Sequence, residues 1–148
     1  METTLILLKP DTIQRWLIGK IITRFEDKGL KIVWMKMMLL SNELVEEHYD
    51  FLADKPFFPS IKSYMTSSPV VAMAISWSDS VKTVRNLTWA TNPSDALPGS
   101  IRGDFALTID ANIIHASDSR ETANIELKRF FNEWEITSYE KISDKVVG

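Results

Sequence analysis

Apolar residues along this chain recur in two rhythms, and the switching between them predicts its elements. Thr3 to Leu8 is short, apolar and β-prone, and Pro10 closes it, which predicts a buried strand with Lys9 at its carboxyl end. Ile18, Ile21, Ile22 and Phe25 recur at helical spacing until Gly29 stops them, which predicts an amphipathic helix. Leu30 to Leu40 reads as a long strand. Ser41 or Asn42 caps a helix whose early turns carry Glu43, Glu46 and Glu47, where carboxylates suit the helix dipole. Pro56 and Pro59 bracket Phe57 and Phe58, a break that leads into a short helix through Tyr64. Val70 to Trp77 is a further buried strand, and Asp79 starts a helix with Val81, Val84 and Leu87 inward. Thr91 to Gly99 has turn residues at both ends and predicts a long loop. Asn112 to Ala116 is the fourth strand, and Ser119 starts a helix with Ala123, Leu127 and Phe130 on one face. The tail after Trp134 is polar and mixed.

Four strands with helices interleaved place the chain in the α+β class. The expected architecture is a ferredoxin-like α/β sandwich, a four-stranded antiparallel sheet in βαββαβ order with additional helices and a long loop. With 148 residues and no linker, repeat or low-complexity tract, residues 1–148 are expected to form a single domain. A net charge of -3 disfavours a general nucleic-acid binder, which needs excess lysine and arginine. The absence of cysteine removes disulfides, thiolate catalysis and cysteine-ligated metals together. No signal peptide or membrane span is visible, so the expected location is cytoplasmic.

The candidate chemistry gathers at strand ends. His115 is one of only two histidines and is followed by the small pair Ala116 and Ser117. It is a candidate nucleophile, acid/base or ordinary strand-end histidine. Glu126 lies on the next helix near the edge of the buried face, where a carboxylate can orient an imidazole and fix its tautomer. Lys9, Arg85 and Arg102, with hydroxyls from Tyr49 and Thr91, would suit a polyphosphate if the fold brings them together. Phe57, between prolines, either stacks on a ligand ring or covers the core edge. No Walker-type or dinucleotide-binding glycine loop is present, and no metal-ligand cluster stands out.

Taken together the motifs resemble the nucleoside diphosphate kinase family over nearly the whole chain. The match runs through Leu8-Lys9-Pro10-Asp11, Glu47-His48-Tyr49, Lys55-Pro56-Phe57-Phe58, Thr91-Asn92-Pro93, Pro98-Gly99-Ser100-Ile101-Arg102-Gly103-Asp104-Phe105 and Asn112-Ile113-Ile114-His115-Ala116-Ser117-Asp118. The resemblance implies transfer of the γ-phosphate of a nucleoside triphosphate, such as ATP, to a nucleoside diphosphate by a ping-pong route. His115 would be the phosphorylated histidine, Glu126 would position it, and Ser117 would stand nearby. It implies that Lys9, Tyr49, Arg85, Thr91 and Arg102 hold the phosphates, and that Lys9 and Asn112 reach the ribose. Phe57 would stack on the base with Ile61 and Ile109 beside it, giving broad base specificity. Mg²⁺ would arrive on the nucleotide phosphates, with no direct protein ligand. A homo-oligomer is implied, a hexamer or tetramer built from dimers, with no membrane and no specific nucleic-acid partner. The alternative is a catalytically weak relative kept as a binding or scaffold protein. An unrelated RNA-binding module of the same fold would want paired aromatics on the sheet face and a basic surface.

The chain departs from the family where glycine is usual: it has Trp16, Val84, Trp89 and Ala116 there, and Phe130 where many members have tryptophan. A tryptophan forced to positive φ at position 89 would cost roughly 1–2 kcal/mol. The expectation is instead that the helix continues to Ala90 and the chain turns at Asn92, with the indole packed over the loop or at a subunit contact. The tail from Tyr139 to Gly148 also differs from the usual family end.

Overall fold

The computed structural model describes residues 1–89 and 91–142. Four strands, β1 (Glu2–Leu8), β2 (Lys31–Met38), β3 (Val70–Trp77) and β4 (Ile114–Ala116), form one sheet in the order β2-β3-β1-β4. Every pairing is antiparallel. Helices α1 (Pro10–Gln14) and α2 (Ile18–Lys28) follow β1, α3 (Asn42–His48) and α4 (Phe58–Met65) follow β2, α5 (Ser80–Thr88) and α6 (Ile101–Phe105) follow β3, and α7 (Arg120–Phe130) follows β4.

The sheet is buried on both faces, which explains why β1 and β3 read as continuous apolar runs. In β1, Ile6 and Leu8 face one core with Ile21 and Phe25 of α2 and Val84 of α5. Leu5 and Leu7 face the other, with Val45 of α3, Met65 of α4 and Leu127 of α7. Side chains alternate across a strand, so a strand between two cores needs apolar residues at every position. β2 is an edge strand; Met35, Met37 and Leu39 stand exposed on or beside it. The amide of Thr137 donates to the Val33 carbonyl at 3.0 Å, and the Tyr139 hydroxyl donates to the Ile32 carbonyl, so this part of the tail lies along that edge.

Several expectations shift in detail. The fourth strand holds three residues, not five, because Ile113 adopts φ 62° and interrupts the extended chain. The short helices α1 and α6 were not anticipated; at five residues each they are too short to show a periodic pattern. Val84 sits inside α5 with no exposure, an ordinary core position. The expectation for Trp89 is overturned: α5 ends there, with Trp89 at φ 68° and ψ −159°. Trp16 also takes positive φ, at 58°. Ala90 and the tail from 143 to 148 lie outside the described residues.

Candidate active site

β4 pairs with β1 so that His115 stands opposite Leu7, on the face covered by α3 and α7. Ser119 caps α7 by accepting the Thr122 amide at 3.1 Å, which fixes where that helix starts. Two turns on, Glu126 is brought beneath the imidazole. His115 Nε2 lies 3.0 Å from each carboxylate oxygen of Glu126. Oε1 also accepts the Ser117 hydroxyl at 2.6 Å, and the Ser117 oxygen accepts the Leu5 amide at 3.3 Å. Burial pushes the Glu126 carboxyl up, but the hydrogen bonds and charge of His115 and the Ser117 hydroxyl outweigh it and hold the group below its usual range. An ionised carboxylate only accepts, so Nε2 carries the proton and donates. Nδ1 then keeps its lone pair, and no described residue hydrogen-bonds it.

His48 packs edge-on against this ring, 4.7 Å between centroids. Its Nδ1 accepts from Arg129 at 2.9 Å. Burial, then the charge of His115, lowers its pKa to about 3 despite Glu126, so it stays neutral at ordinary pH. His48, His115 and Glu126 resemble a metal-ligand set. They do not fit one: Arg129 occupies the His48 lone pair, and both Glu126 oxygens face Nε2–H.

The backbone before His115 is held under tension. The Ile114 amide donates to the Asn112 carbonyl at 2.8 Å across Ile113, a γ-turn of the strained positive-φ form. The Ile113 amide donates to Asp11 Oδ2 at 3.1 Å. Its carbonyl accepts the Lys9 amide at 2.8 Å and the Thr12 hydroxyl at 2.6 Å. Asp11 is held in turn by the Tyr64 hydroxyl. Every polar group of the strained peptide is therefore paired, and the side chain is fully buried.

Three cations gather on the chain around His115. Lys9 Nζ donates to Asn112 Oδ1 at 2.7 Å, and Asn112 Nδ2 donates to the Thr91 carbonyl at 3.0 Å. Burial and the charge of Arg102 lower the Lys9 pKa to about 8, against the opposing pull of Asp11. Arg102 is buried, and burial with the nearby Arg85 charge pushes it down to about 10. Its guanidinium donates to the Ile114 carbonyl at 2.6 Å and the Trp89 carbonyl at 2.8 Å, while Nε is buried without a partner. Arg85 reaches the Ala116 carbonyl at 3.4 Å. Crowded cations and an orphaned donor make a place that favours an anion. The carboxylates beside it are committed, Glu126 to His115 and Ser117, Asp11 to Tyr64 and Ile113. A divalent cation there would take its ligands from phosphate and water.

The remaining residues divide. Tyr49 caps the C-terminal end of α3, and burial, then the Glu126 charge, pushes its hydroxyl far up, so it stays protonated. Its oxygen lies 3.9 Å from the Met65 sulfur, a weak contact. Phe57 is 50% exposed and Ile109 is 54% exposed, leaving two apolar side chains open to solvent; Ile61 lies partly buried on α4. The sequence reading passed over Asp11, Thr12, His48 and Arg129 as parts of this site. His48 is signalled by being the only other histidine and Asp11 by its place in Leu8-Lys9-Pro10-Asp11; Thr12 and Arg129 carry no signal, because their roles depend on contacts between distant parts of the chain.

Comparison with known proteins adds an independent finding. The pattern of the family "Nucleoside diphosphate kinase" matches residues 2–136. A nucleoside diphosphate kinase of Parabacteroides distasonis is 52% identical over 140 residues, covering 95% of this chain and 92% of that protein. One of Archaeoglobus fulgidus is 48% identical over 144 residues, covering 97% and 95%. Among solved structures, a halophilic nucleoside diphosphate kinase from Halobacterium salinarum in complex with CDP is similar with TM-score 0.95 and 42% identity, covering 99% of this chain and 98% of that one.

Proposed function

The chain belongs to the nucleoside diphosphate kinase family, and from that premise we propose that it moves a γ-phosphate between nucleotides through a phosphohistidine at His115. It is a phosphotransferase acting between nucleotides. The observation that carries the finer reading is the grip of both Glu126 oxygens on His115 Nε2, at 3.0 Å each. In the first half-reaction Nδ1 attacks the γ-phosphorus, a nitrogen–phosphorus bond forms, and the bond to the β–γ bridging oxygen breaks. The electron pair leaves on the nucleoside diphosphate. No proton moves from Nδ1, and the positive charge gained by the ring is shared with Glu126 through Nε2–H. A second diphosphate reverses the step with its terminal oxygen.

Lys9, Arg85 and Arg102 offset phosphate charge as it shifts from the bridging to the attacking side, which is most of what such a transfer needs. Tyr49 and Thr91 stand by as hydroxyl donors, and Lys9 with Asn112 reaches the ribose. Mg²⁺, bound on the phosphates, would supply further charge neutralisation. Phe57 with Ile61 and Ile109 offers a face to the base and no edge-reading hydrogen bond, which supports broad base specificity. A homo-oligomer, hexamer or tetramer built from dimers, is the expected assembly; exposed Met35, Met37 and Leu39 on the β2 edge are apolar surface a second copy would cover. Among the described residues no helix is long and apolar enough to cross a membrane, and we place the protein in the cytoplasm.

Incubation with γ-labelled ATP tests the reading. The protein should take up acid-labile, alkali-stable label, and an added nucleoside diphosphate should discharge it. Folded His115→Ala should take up none. Label retained in that variant would refute the assignment.

A further inference from the structure

Trp89 ends α5 in a conformation that suits glycine, and it is held there at three points. Its amide closes the last helical turn on the Arg85 carbonyl at 2.7 Å. Its carbonyl accepts Arg102, the same guanidinium that grips Ile114 beside His115. Its indole Nε1 donates to the Asp95 carbonyl at 3.2 Å, on the far limb of the loop that starts at Thr91. At this positive φ the carbonyl meets Arg102 while the indole nitrogen reaches Asp95.

The loop is also fixed at its ends. Asn112 holds the Thr91 carbonyl. At the other end the Ser100 hydroxyl donates to the Leu97 carbonyl at 2.6 Å, and Gly103 of α6 packs so close to that carbonyl that an added Cβ would collide with it. Between those anchors, Asn92 closes a local turn by accepting the Ser94 amide at 3.1 Å. That bond orders the turn internally. The turn at 93–95 packs against α6 with Pro93 buried, and the Trp89 indole adds the hydrogen bond that ties Asp95 to the end of α5.

We propose that Trp89 is a positioning residue for nucleotide binding: its indole clasps the loop so that Thr91 is set before the nucleotide arrives. A loop ordered in advance does not spend binding free energy on being ordered. The loop meets the nucleotide alike in ground and transition states, so the clasp acts on KM and not on kcat. The proposal rests on reading this cleft as a nucleotide site, and the experiment separates the two.

Steady-state kinetics with ATP and a nucleoside diphosphate are measured for the whole protein, Trp89→Phe and Trp89→Gly, with thermal melting alongside. Trp89→Phe keeps a ring and the backbone demand but loses the N–H. It should raise KM for both nucleotides about five- to tenfold, the worth of one hydrogen bond, with kcat within about twofold. Trp89→Gly removes the ring and relaxes the backbone. Its KM should rise at least as much although its melting temperature falls little, a split that a merely structural tryptophan would not give. KM within about twofold of the parent in Trp89→Phe, or a fall in kcat at unchanged KM, overturns the proposal. If Trp89→Gly does not fold, Trp89→Phe decides alone. A parent protein that turns over no nucleotide would overturn the nucleotide-site reading, and with it the clasp.

Discussion

Of the three described residues other than glycine at positive φ, Ile113 and Trp89 adjoin the candidate site, and their corners are built differently. At Ile113 the strained peptide is sealed in the core, with its amide on Asp11 and its carbonyl shared by Lys9 and Thr12. At Trp89 the side chain is 39% exposed, and the hold is a guanidinium on the carbonyl and an indole on a loop. Non-glycine residues in such regions cost about 1–3 kcal/mol and persist where surroundings over-determine them. The sealed corner aims His115, the proposed nucleophile, two residues on. The open corner borders a loop through which nucleotide would pass. Arg102 touches both, so strain at one is coupled to geometry at the other.

Breaking that coupling should give the largest effect. Arg102→Ala removes two charge-assisted bonds, worth about 1.5–3 kcal/mol each, and a phosphate-facing cation. We expect kcat/KM to fall by roughly a hundredfold or more, and denaturant titration to show lost stability. An active, fully stable variant would mean that the two corners are independent.

Asp11→Ala strikes the sealed corner alone. It leaves the buried Ile113 amide without an acceptor, at a cost of about 1–3 kcal/mol. Its kinetic signature should be a lowered kcat with KM little changed, because His115 loses aim while the phosphate groups stay. A rise in KM instead would place the role of Asp11 in binding.

The pH profile sharpens the contrast from the open side. Lys9 titrates near 8 in the folded protein, against an ordinary 10.5. On the proposal that charged Lys9 holds phosphate, kcat/KM should fall as pH rises through about 8, and Lys9→Arg should move that limb upward. Stability runs the other way. Between about 8 and 10.5 the unfolded chain binds the extra proton, so this group adds stability as pH rises through that window. An activity profile flat to pH 10 would contradict the lowered value.

The smallest effects measure the strain itself. At Trp16, which is 90% exposed, glycine should be more stable than alanine by about 1 kcal/mol. At Ile113 glycine should again beat alanine, although both leave a cavity, and at Trp89 the gap should be widest because its ψ lies in a region nearly exclusive to glycine. Alanine as stable as glycine at any of these positions would show that the strain there is absent.

These comparisons mark what was legible in the sequence. β1 and β3 could be read because two cores demand apolar residues at every position. The pairing of His115 with Glu126 could be read because Ala123 and Leu127 set the face of α7. The positive φ of Ile113 could not, and that of Trp89 was signalled only by the glycine usual there in the family. Glycine announces such a conformation; tryptophan and isoleucine hide it, and only long-range partners such as Arg102 and Asp11 make it stable. The fourth strand starts later than its pattern predicts for the same reason, since Ile113 is β-prone by type and bent by contact.

The central claim is that Glu126 reserves Nε2 and leaves Nδ1 as the phosphoryl carrier. Nitrogen–phosphorus NMR on protein labelled with ¹⁵N-histidine and phosphorylated by ATP reads this directly. The phosphorus should couple to Nδ1 of His115 while Nε2 keeps its proton. Coupling to Nε2, or to a nitrogen of His48, would contradict the account.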